Sequence, residues 1–157
     1  MLECSFKLNN QPMSEFKIRS LSFPAFSGKE GYINTSSLMC TPGYGAIPIG
    51  RYYIFDRQSG GLLGPLKDWL DMNGNHKSEW YALYAIDGNI DDDKTLCEKI
   101  VRGQFRLHPK GRLGISEGCI TIDNMSDWIR IRAIFSDTPK VAVPGSALKA
   151  YSELIVS

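Results

Sequence analysis

Apolar and polar side chains alternate in the first part of the chain, which is the pattern of half-buried β-strands. Residues 4–8 and 16–21 alternate in this way, and the turn formers Asn, Gln and Pro separate them at residues 9–12. Residues 22–50 are rich in Ser, Gly and Pro, which predicts ordered loops. Residues 51–55 are dominated by aromatic and β-branched side chains and therefore predict a further strand.

The second half of the chain mixes short strands with helical patterns. Apolar runs predict strands at residues 80–86, 105–107, 120–122, 140–143 and 150–156. Helices are predicted at residues 62–72, 92–103 and 124–135. Aspartates in the first turn, a basic residue in the last turn and a glycine stop favour the second of these helices. No internal repeat or linker interrupts the pattern, so we expect one domain that is mainly β with a few short helices.

The amino-acid composition argues against nucleic-acid binding and against insertion into a membrane. The 157 residues include 18 Lys and Arg against 17 Asp and Glu, so the net charge is +1. Nucleic-acid affinity depends on many cationic contacts with phosphate, and this balance argues against a nucleic-acid partner. The longest apolar runs are far shorter than a membrane span, so we expect no membrane insertion. The N-terminal residues lack a basic region followed by an apolar region, so we expect no Sec signal and synthesis in the cytoplasm.

The four cysteines are widely and irregularly spaced. No CxxC pair is present, so a zinc site is not expected. Because cytosolic thiols stay reduced, we interpret Cys4, Cys40 and Cys97 as buried free thiols that pack as small apolar groups. Residues 87–98 have acidic side chains at calcium-loop spacing, but Asp92 stands where the loop needs Gly. We therefore expect neither a metal nor another cofactor.

One segment carries candidate chemistry. His108 ends a predicted strand, a loop with three glycines follows, and Cys119 begins the next strand. A cysteine nucleophile needs to be a thiolate, and a nearby imidazole is the usual means of producing it. Two adjacent strands joined by this loop would bring the two side chains together. Gly118 would let a substrate carbonyl approach, and its N–H and that of Cys119 would form an oxyanion hole.

The whole string resembles the catalytic signature of the L,D-transpeptidase family. The matching residues are His108, Ser116, Gly118, Cys119 and Ile120. Residues 47–54 resemble the Pro-x-Gly-x-Tyr/Phe-x-Ile strand that precedes the catalytic part in this family. Phe26-Ser27-Gly28 looks most like the branch used as type VI secretion toxins. The chain departs from the usual pattern at Pro109, Glu117 and Thr121, where the family has Gly, His and Arg.

The resemblance implies a fold and roles for these residues. It implies an L,D-transpeptidase-like β-sandwich or barrel over residues 1–157, with residues 56–103 as an elaboration beside the active-site groove. Cys119 would be the nucleophile that attacks the L,D bond between meso-diaminopimelate and terminal D-Ala, and His108 would be the base. Ser116 would position the loop or His108. Arg106 and Arg112 would bind the carboxylate of the stem peptide.

The implied partners are peptidoglycan stem peptides, a cognate periplasmic immunity protein and components of the secretion system. The implied reaction is L,D-carboxypeptidase cleavage or exchange of D-amino acids, in the periplasm of target bacteria. Two alternatives remain open. One is a cysteine peptidase or amidase that cuts another peptidoglycan bond, although papain-like enzymes have Cys before His in the chain. The other is a secretion-associated binding module without catalysis.

Overall fold

The computed structural model describes residues 1–57, 80–88, 93–111 and 118–157. The helix predicted at residues 62–72 lies outside these ranges. Ser116 and Arg112 also lie outside them. No helix within the described ranges has the length and apolarity that crossing a lipid bilayer requires.

Short strands dominate the described structure. In chain order they are β1 (Leu2–Phe6), β2 (Ser14–Ile18), β3 (Leu21–Ser27), β4 (Gly50–Asp56), β5 (Tyr81–Ala85), β6 (Lys94–Cys97), β7 (Ile100–Gly103), β8 (Arg106–Pro109), β9 (Ile120–Ile122), β10 (Val141–Ala142), β11 (Lys149–Ala150) and β12 (Ser152–Val156). A 3-10 helix covers Ser36–Leu38, and the α-helix α1 covers Met125–Ser136. The predictions of a mainly β fold and of a helix at residues 124–135 are confirmed.

Eight of the strands form a closed barrel in the order β1-β12-β4-β5-β8-β9-β3-β2. The β1–β12 and β8–β9 pairs are parallel, and the other barrel pairs are antiparallel. Closure leaves no open strand edge in this sheet. The predicted β-barrel or β-sandwich architecture is confirmed as a barrel.

The core fills one face of each barrel strand. Alternate side chains such as Phe6, Phe16 and Ile54 are buried in one cluster, as the alternation of the sequence requires. Helix α1 adds Trp128, Ile131 and Phe135 to the same cluster. Their spacing of three and four residues places them on one face of the helix. Full burial of each such side chain contributes about 1.5–3 kcal/mol, so the helix is bound to the barrel by its apolar face.

Strand β3 corrects the prediction of loops over residues 22–50. Pro24 lies inside this strand, and proline normally interrupts a ladder because it has no N–H. Here the ladder with β9 begins at Ala25, beyond Pro24. The Pro24 carbonyl still accepts a hydrogen bond of 3.0 Å from the Asp123 N–H. Proline is therefore tolerated because the strand does not need its amide at this position.

The predicted helix over residues 92–103 is wrong: this segment contains the hairpin β6–β7. Cys97 pairs with Ile100, so only Glu98 and Lys99 form the turn. Both turn residues have positive φ, 48° and 71°, as a type I′ hairpin turn requires. Asn and Gly normally supply that conformation. A Glu-Lys turn gives no such signal, and its charges fitted the end of a helix equally well.

The prediction that Cys40 and Cys97 are free thiols is also wrong. They form a disulfide that links the loop after the 3-10 helix to the end of β6, across 57 positions of sequence. Cys4 and Cys119 are the free cysteines, and Cys4 is buried as predicted. Sequence spacing could not identify the pair because the contact depends on how the hairpin packs against a distant loop.

Residues 56–103 contribute to two parts of the fold. Within them β5 is a barrel strand between β4 and β8. The hairpin β6–β7 forms a separate two-stranded sheet, and four of its residues, Lys94, Val101, Arg102 and Gly103, line the cavity beside Cys119. Residues 58–79 and 89–92 lie outside the described ranges.

Candidate active site

The parallel pair β8–β9 places the predicted base and nucleophile on one face of the barrel wall. His108 pairs with Thr121, and Leu107 pairs with Ile120. Leu107 and Ile120 point into the core, so their neighbours His108 and Thr121 point to the outer face. Cys119 stands two positions before Thr121 and follows the same alternation. The alternation of the strand therefore assigns Cys119, which directly precedes β9, to the face that carries His108.

The imidazole of His108 is held by two contacts. Its Nδ1–H donates a hydrogen bond of 2.8 Å to the carbonyl oxygen of Pro109. Because a carbonyl only accepts, this bond places the proton on Nδ1 and the lone pair of the neutral ring on Nε2. The indole of Trp80 stacks on the imidazole with a centroid distance of 4.4 Å. His108 has 6% of its surface exposed. The orientation of the ring suits a base that acts through Nε2.

Cys119 opens onto a cavity of about 340 Å³. Its Sγ lies 4.0 Å from the carbonyl oxygen of Gln104. The other lining residues come from the loop before β4 and from the hairpin: Pro42, Gly43, Lys94, Val101, Arg102 and Gly103. Both charged lining residues, Lys94 and Arg102, are cationic, so the cavity suits a substrate with an anionic group.

Gly118 is required at its position for two physical reasons. Its φ is +92°, which side chains with a Cβ rarely adopt. A Cβ built on it would also lie 2.5 Å from Nη2 of Arg102 and 3.0 Å from the ring of Phe105. The glycine therefore lets the turn before Cys119 lie directly on the guanidinium.

Arg106 has a carboxylate partner inside the protein. Its guanidinium forms two hydrogen bonds with Asp93, of 3.0 and 2.7 Å. Burial lowers the pKa of Arg106, but the bond and charge of Asp93 outweigh it, so the pKa is raised overall. A substrate carboxylate would compete with Asp93 for this group, and the predicted role of Arg106 stays a prediction. Within the described ranges, no cluster of three or more His, Cys, Asp or Glu is placed to hold a metal ion.

Three residues at the site were not identified from the sequence. The sequence pattern did not single out Trp80 or Arg102, and Pro109 was noted only as a departure from the motif. The antiparallel register Tyr81–Leu107 continues to Trp80 and His108, which explains their stacking. The strand at residues 80–86 was predicted, but its pairing with β8 and the hairpin β6–β7 were not, and these contacts depend on them.

The family model of the Tlde1 domain matches residues 21–146, which is most of the chain and includes His108 and Cys119. The chain belongs to the Tlde1 domain family. This family consists of type VI secretion L,D-transpeptidase effector domains, so the resemblance seen in the catalytic string is confirmed. The Tlde1 domain described here is thus a peptidoglycan-targeting effector of a type VI secretion system. Comparison with curated proteins gave no match.

Proposed function

We propose that this Tlde1 domain is a cysteine-dependent L,D-transpeptidase and L,D-carboxypeptidase. Its substrate is the bond between meso-diaminopimelate and D-Ala in tetrapeptide stems. The observation that carries the proposal is the common face of His108 and Cys119 on β8–β9, next to a cavity large enough for part of a peptide. The orientation of His108 by the Pro109 carbonyl supports the same roles.

The reaction begins at Cys119. His108 Nε2 takes the thiol proton, and the thiolate attacks the carbonyl carbon at the L-centre of meso-diaminopimelate. The N–H groups of Gly118 and Cys119 stabilise the negative oxygen of the tetrahedral intermediate. When the intermediate collapses, the C–N bond breaks, the D-Ala amine leaves with the proton from His108, and a thioester remains on Cys119.

The second half of the reaction depends on the acceptor. Water that attacks the thioester releases a tripeptide stem, which is carboxypeptidase activity. The amine of a free D-amino acid gives exchange, and the amine of a second stem gives a cross-link. In each case His108 takes the proton of the acceptor and Cys119 leaves as thiol. Arg112 and Ser116 keep their predicted roles in substrate binding and loop positioning.

We further propose that the domain is made in the cytoplasm of the producer and acts in the periplasm of target bacteria. The peptidoglycan substrate lies in that compartment, and the family uses the type VI system for delivery. Sister cells of the producer then need a periplasmic immunity protein. Such a protein would act most simply by covering the cavity over Cys119.

The reaction is tested by incubating the purified protein with defined muropeptides and measuring product masses. We expect tetrapeptide stems to lose one D-Ala, and pentapeptide stems ending in D-Ala-D-Ala to be poor substrates. Cys119→Ala should remove the activity, because loss of a covalent nucleophile costs several orders of magnitude in rate. The other free thiol belongs to Cys4, on β1. Cys4→Ala should therefore retain the activity.

Three other outcomes of the muropeptide assay would contradict the proposed reaction. Cleavage of a different peptidoglycan bond would indicate a cysteine peptidase or amidase. Binding of muropeptides without any product would indicate a binding module. Product formation by Cys119→Ala would eliminate the covalent mechanism.

The compartment is tested separately by expression in a Gram-negative host with and without an added Sec signal. Lysis, swelling or division arrest should occur only with the added signal, and should disappear with Cys119→Ala. Equal toxicity of the form retained in the cytoplasm would contradict a cell-wall target.

A further inference from the structure

Arg102 on β7 is a buried cation with neutral partners. The residue is 3% exposed, and arginine is almost never buried to this extent without a partner charge. Nη1 donates hydrogen bonds to the carbonyls of Met39 and Ala46, and Nη2 donates one to the carbonyl of Gly45. Among the described residues, no carboxylate lies within ion-pair distance of Arg102. The three carbonyls fix the guanidinium but do not neutralise it.

The guanidinium lies against the turn that presents the nucleophile. The Cβ position of Gly118 is 2.5 Å from Nη2, so Arg102 and the backbone of Gly118 are in direct contact. Phe105 covers another side of the group, with its ring centroid 5.3 Å from the guanidinium carbon. Cys119 and Arg102 line the same cavity. The charge of Arg102 therefore lies beside the turn that carries the thiol, on the cavity onto which the thiol opens.

Among the residues that the structure describes, two groups could supply negative charge to Arg102. Burial lowers the pKa of Arg102, while the ionised forms of Tyr52 and Cys119 oppose that change. Burial also raises the pKa of Tyr52, whose hydroxyl donates a hydrogen bond to the Pro48 carbonyl, so Tyr52 is neutral near pH 7. Of these two groups, the thiol is the one that ionises more readily in water, since an ordinary cysteine has a pKa of about 8.5 and an ordinary tyrosine about 10.

The other charged and titratable groups described around Cys119 are paired with a counter-ion, exposed to solvent or assigned a different role. Arg106 also interacts with Cys119, but Asp93 neutralises it, and Tyr84 faces it from β5. Lys94 lines the cavity from β6 and is exposed, so solvent screens its charge. His108 lies on the same face of β8 and serves as the base. Arg102 is thus the buried cation at the site that lacks a described counter-ion.

We propose that Arg102 is a positioning residue for the nucleophile: its buried charge stabilises Cys119 as the thiolate, and its contact with Gly118 fixes the turn before it. The inference rests on Cys119 being the nucleophile of the proposed function. A charge of opposite sign within about 4–6 Å typically lowers the pKa of an acid by roughly 1–3 units. The expected effect is large enough to measure on the thiol itself.

The test is the rate of alkylation of Cys119 by iodoacetamide as a function of pH, followed by mass spectrometry of the Cys119 peptide. Arg102→Gln removes the charge and keeps a polar, hydrogen-bonding group on a shorter side chain. We expect its alkylation midpoint to rise by roughly one pH unit or more. Arg102→Lys keeps the charge and should retain most of the wild-type behaviour. A purely structural role for Arg102 would not give this dependence on charge.

A matched control removes an exposed ion pair of zero net charge, formed by the residues that directly follow β8 and β9. Lys110→Gln combined with Asp123→Asn deletes one positive and one negative charge, so the midpoint should stay at the wild-type value. A folded Arg102→Gln variant with an unchanged midpoint would overturn the proposal. Circular dichroism establishes that each variant is folded.

If Arg102→Gln does not fold, Arg102→Lys decides the question. A folded Arg102→Lys variant must keep a midpoint close to that of the wild type. A midpoint as high as that of the thiol in the denatured chain would refute the role of the charge. Alkylation needs no substrate, so this outcome is independent of the muropeptide assay and separates failure of the inference from failure of the proposed function.

Discussion

The four cysteine sulfurs differ sharply in chemical availability. Cys40 and Cys97 are joined in a disulfide. Burial raises the pKa of the Cys4 thiol to about 12, although a hydrogen bond from Ser152 opposes this change. Cys119 is partly exposed and faces a cavity. Since the thiolate is the nucleophile, the protein presents one usable thiol, and this thiol is at the position that the catalytic string predicts.

Gly118→Ala should reduce activity strongly and lower stability. The positive φ alone costs about 1–3 kcal/mol for a residue with a side chain. The added methyl group would also collide with Arg102 and Phe105, so the turn must move and carry Cys119 with it. Muropeptide turnover and the free energy of unfolding in denaturant measure the two effects.

Gly145→Ala is the matched control for that substitution. Gly145 has a φ of +77°, but a Cβ there would meet no atom within 4 Å. We expect a similar backbone penalty with activity close to the wild type. Equal activity of the two variants would show that the Gly118–Cys119 turn tolerates displacement.

The hairpin β6–β7 is an element that needs support from elsewhere. A two-stranded sheet is at best marginally stable alone, and this one exposes Leu96 and Val101 by 70% and 57%. The disulfide and the hydrogen bonds of Arg102 join it to residues 39–46. These two links join two segments that both line the cavity, so the hairpin contributes to the site and not to the barrel core.

Removal of the disulfide should therefore weaken both fold and site. For a bridge spanning 57 positions, the loss of loop-closure entropy predicts a decrease in the free energy of unfolding of about 4 kcal/mol. Cys40→Ala combined with Cys97→Ala should show this decrease in a denaturant titration and a lower muropeptide turnover. A reducing agent should destabilise the wild type and leave the double variant unchanged. Equal responses of the two proteins to reductant would contradict the predicted role.

At the scale of the whole molecule, barrel closure supplies the rigidity that the site requires. The parallel pair β8–β9 is flanked by β5 on one side and β3 on the other, and its inner face is packed in the core. Binding sites built on such strands are held more exactly than sites on loops alone. The same core contains Cys4 and Tyr52, two groups whose pKa is raised by burial so that they stay neutral to a higher pH in the folded protein.

The stability of the molecule should fall at alkaline pH. Burial raises the pKa of both Cys4 and Tyr52 in the folded state, so the unfolded chain loses these protons first. Their contribution to stability is complete below the unfolded pKa and is lost as the pH rises toward the folded pKa. For Cys4 the window runs from about 9 to about 12. Each group lowers the free energy of unfolding by about 1.4 kcal/mol per pH unit in its window.

Denaturant titrations between pH 8 and 11 measure this slope. Cys4→Ala should give a shallower slope, whatever its effect on stability at pH 7. A slope identical to that of the wild type would show that Cys4 does not remain protonated in the folded protein.

The sequence by itself determined the features that depend on neighbouring residues. Alternation placed most of the barrel strands, and the spacing of Trp128, Ile131 and Phe135 placed α1. His108 and Cys119 were found because their chemistry and the glycine before Cys119 lie within twelve consecutive residues. Each of these signals arises from local geometry, which a single segment of chain contains.

Tertiary structure decided the features that join distant segments. Cys40 and Cys97 meet across 57 positions, and Arg102 reaches carbonyls at residues 39, 45 and 46. The stacking of Trp80 on His108 follows from the pairing of β5 with β8. No local pattern encodes these contacts, because each depends on the register and closure of the barrel. The sequence thus predicted the candidate nucleophile and base, and the fold determined the charge, the support and the cavity that surround them.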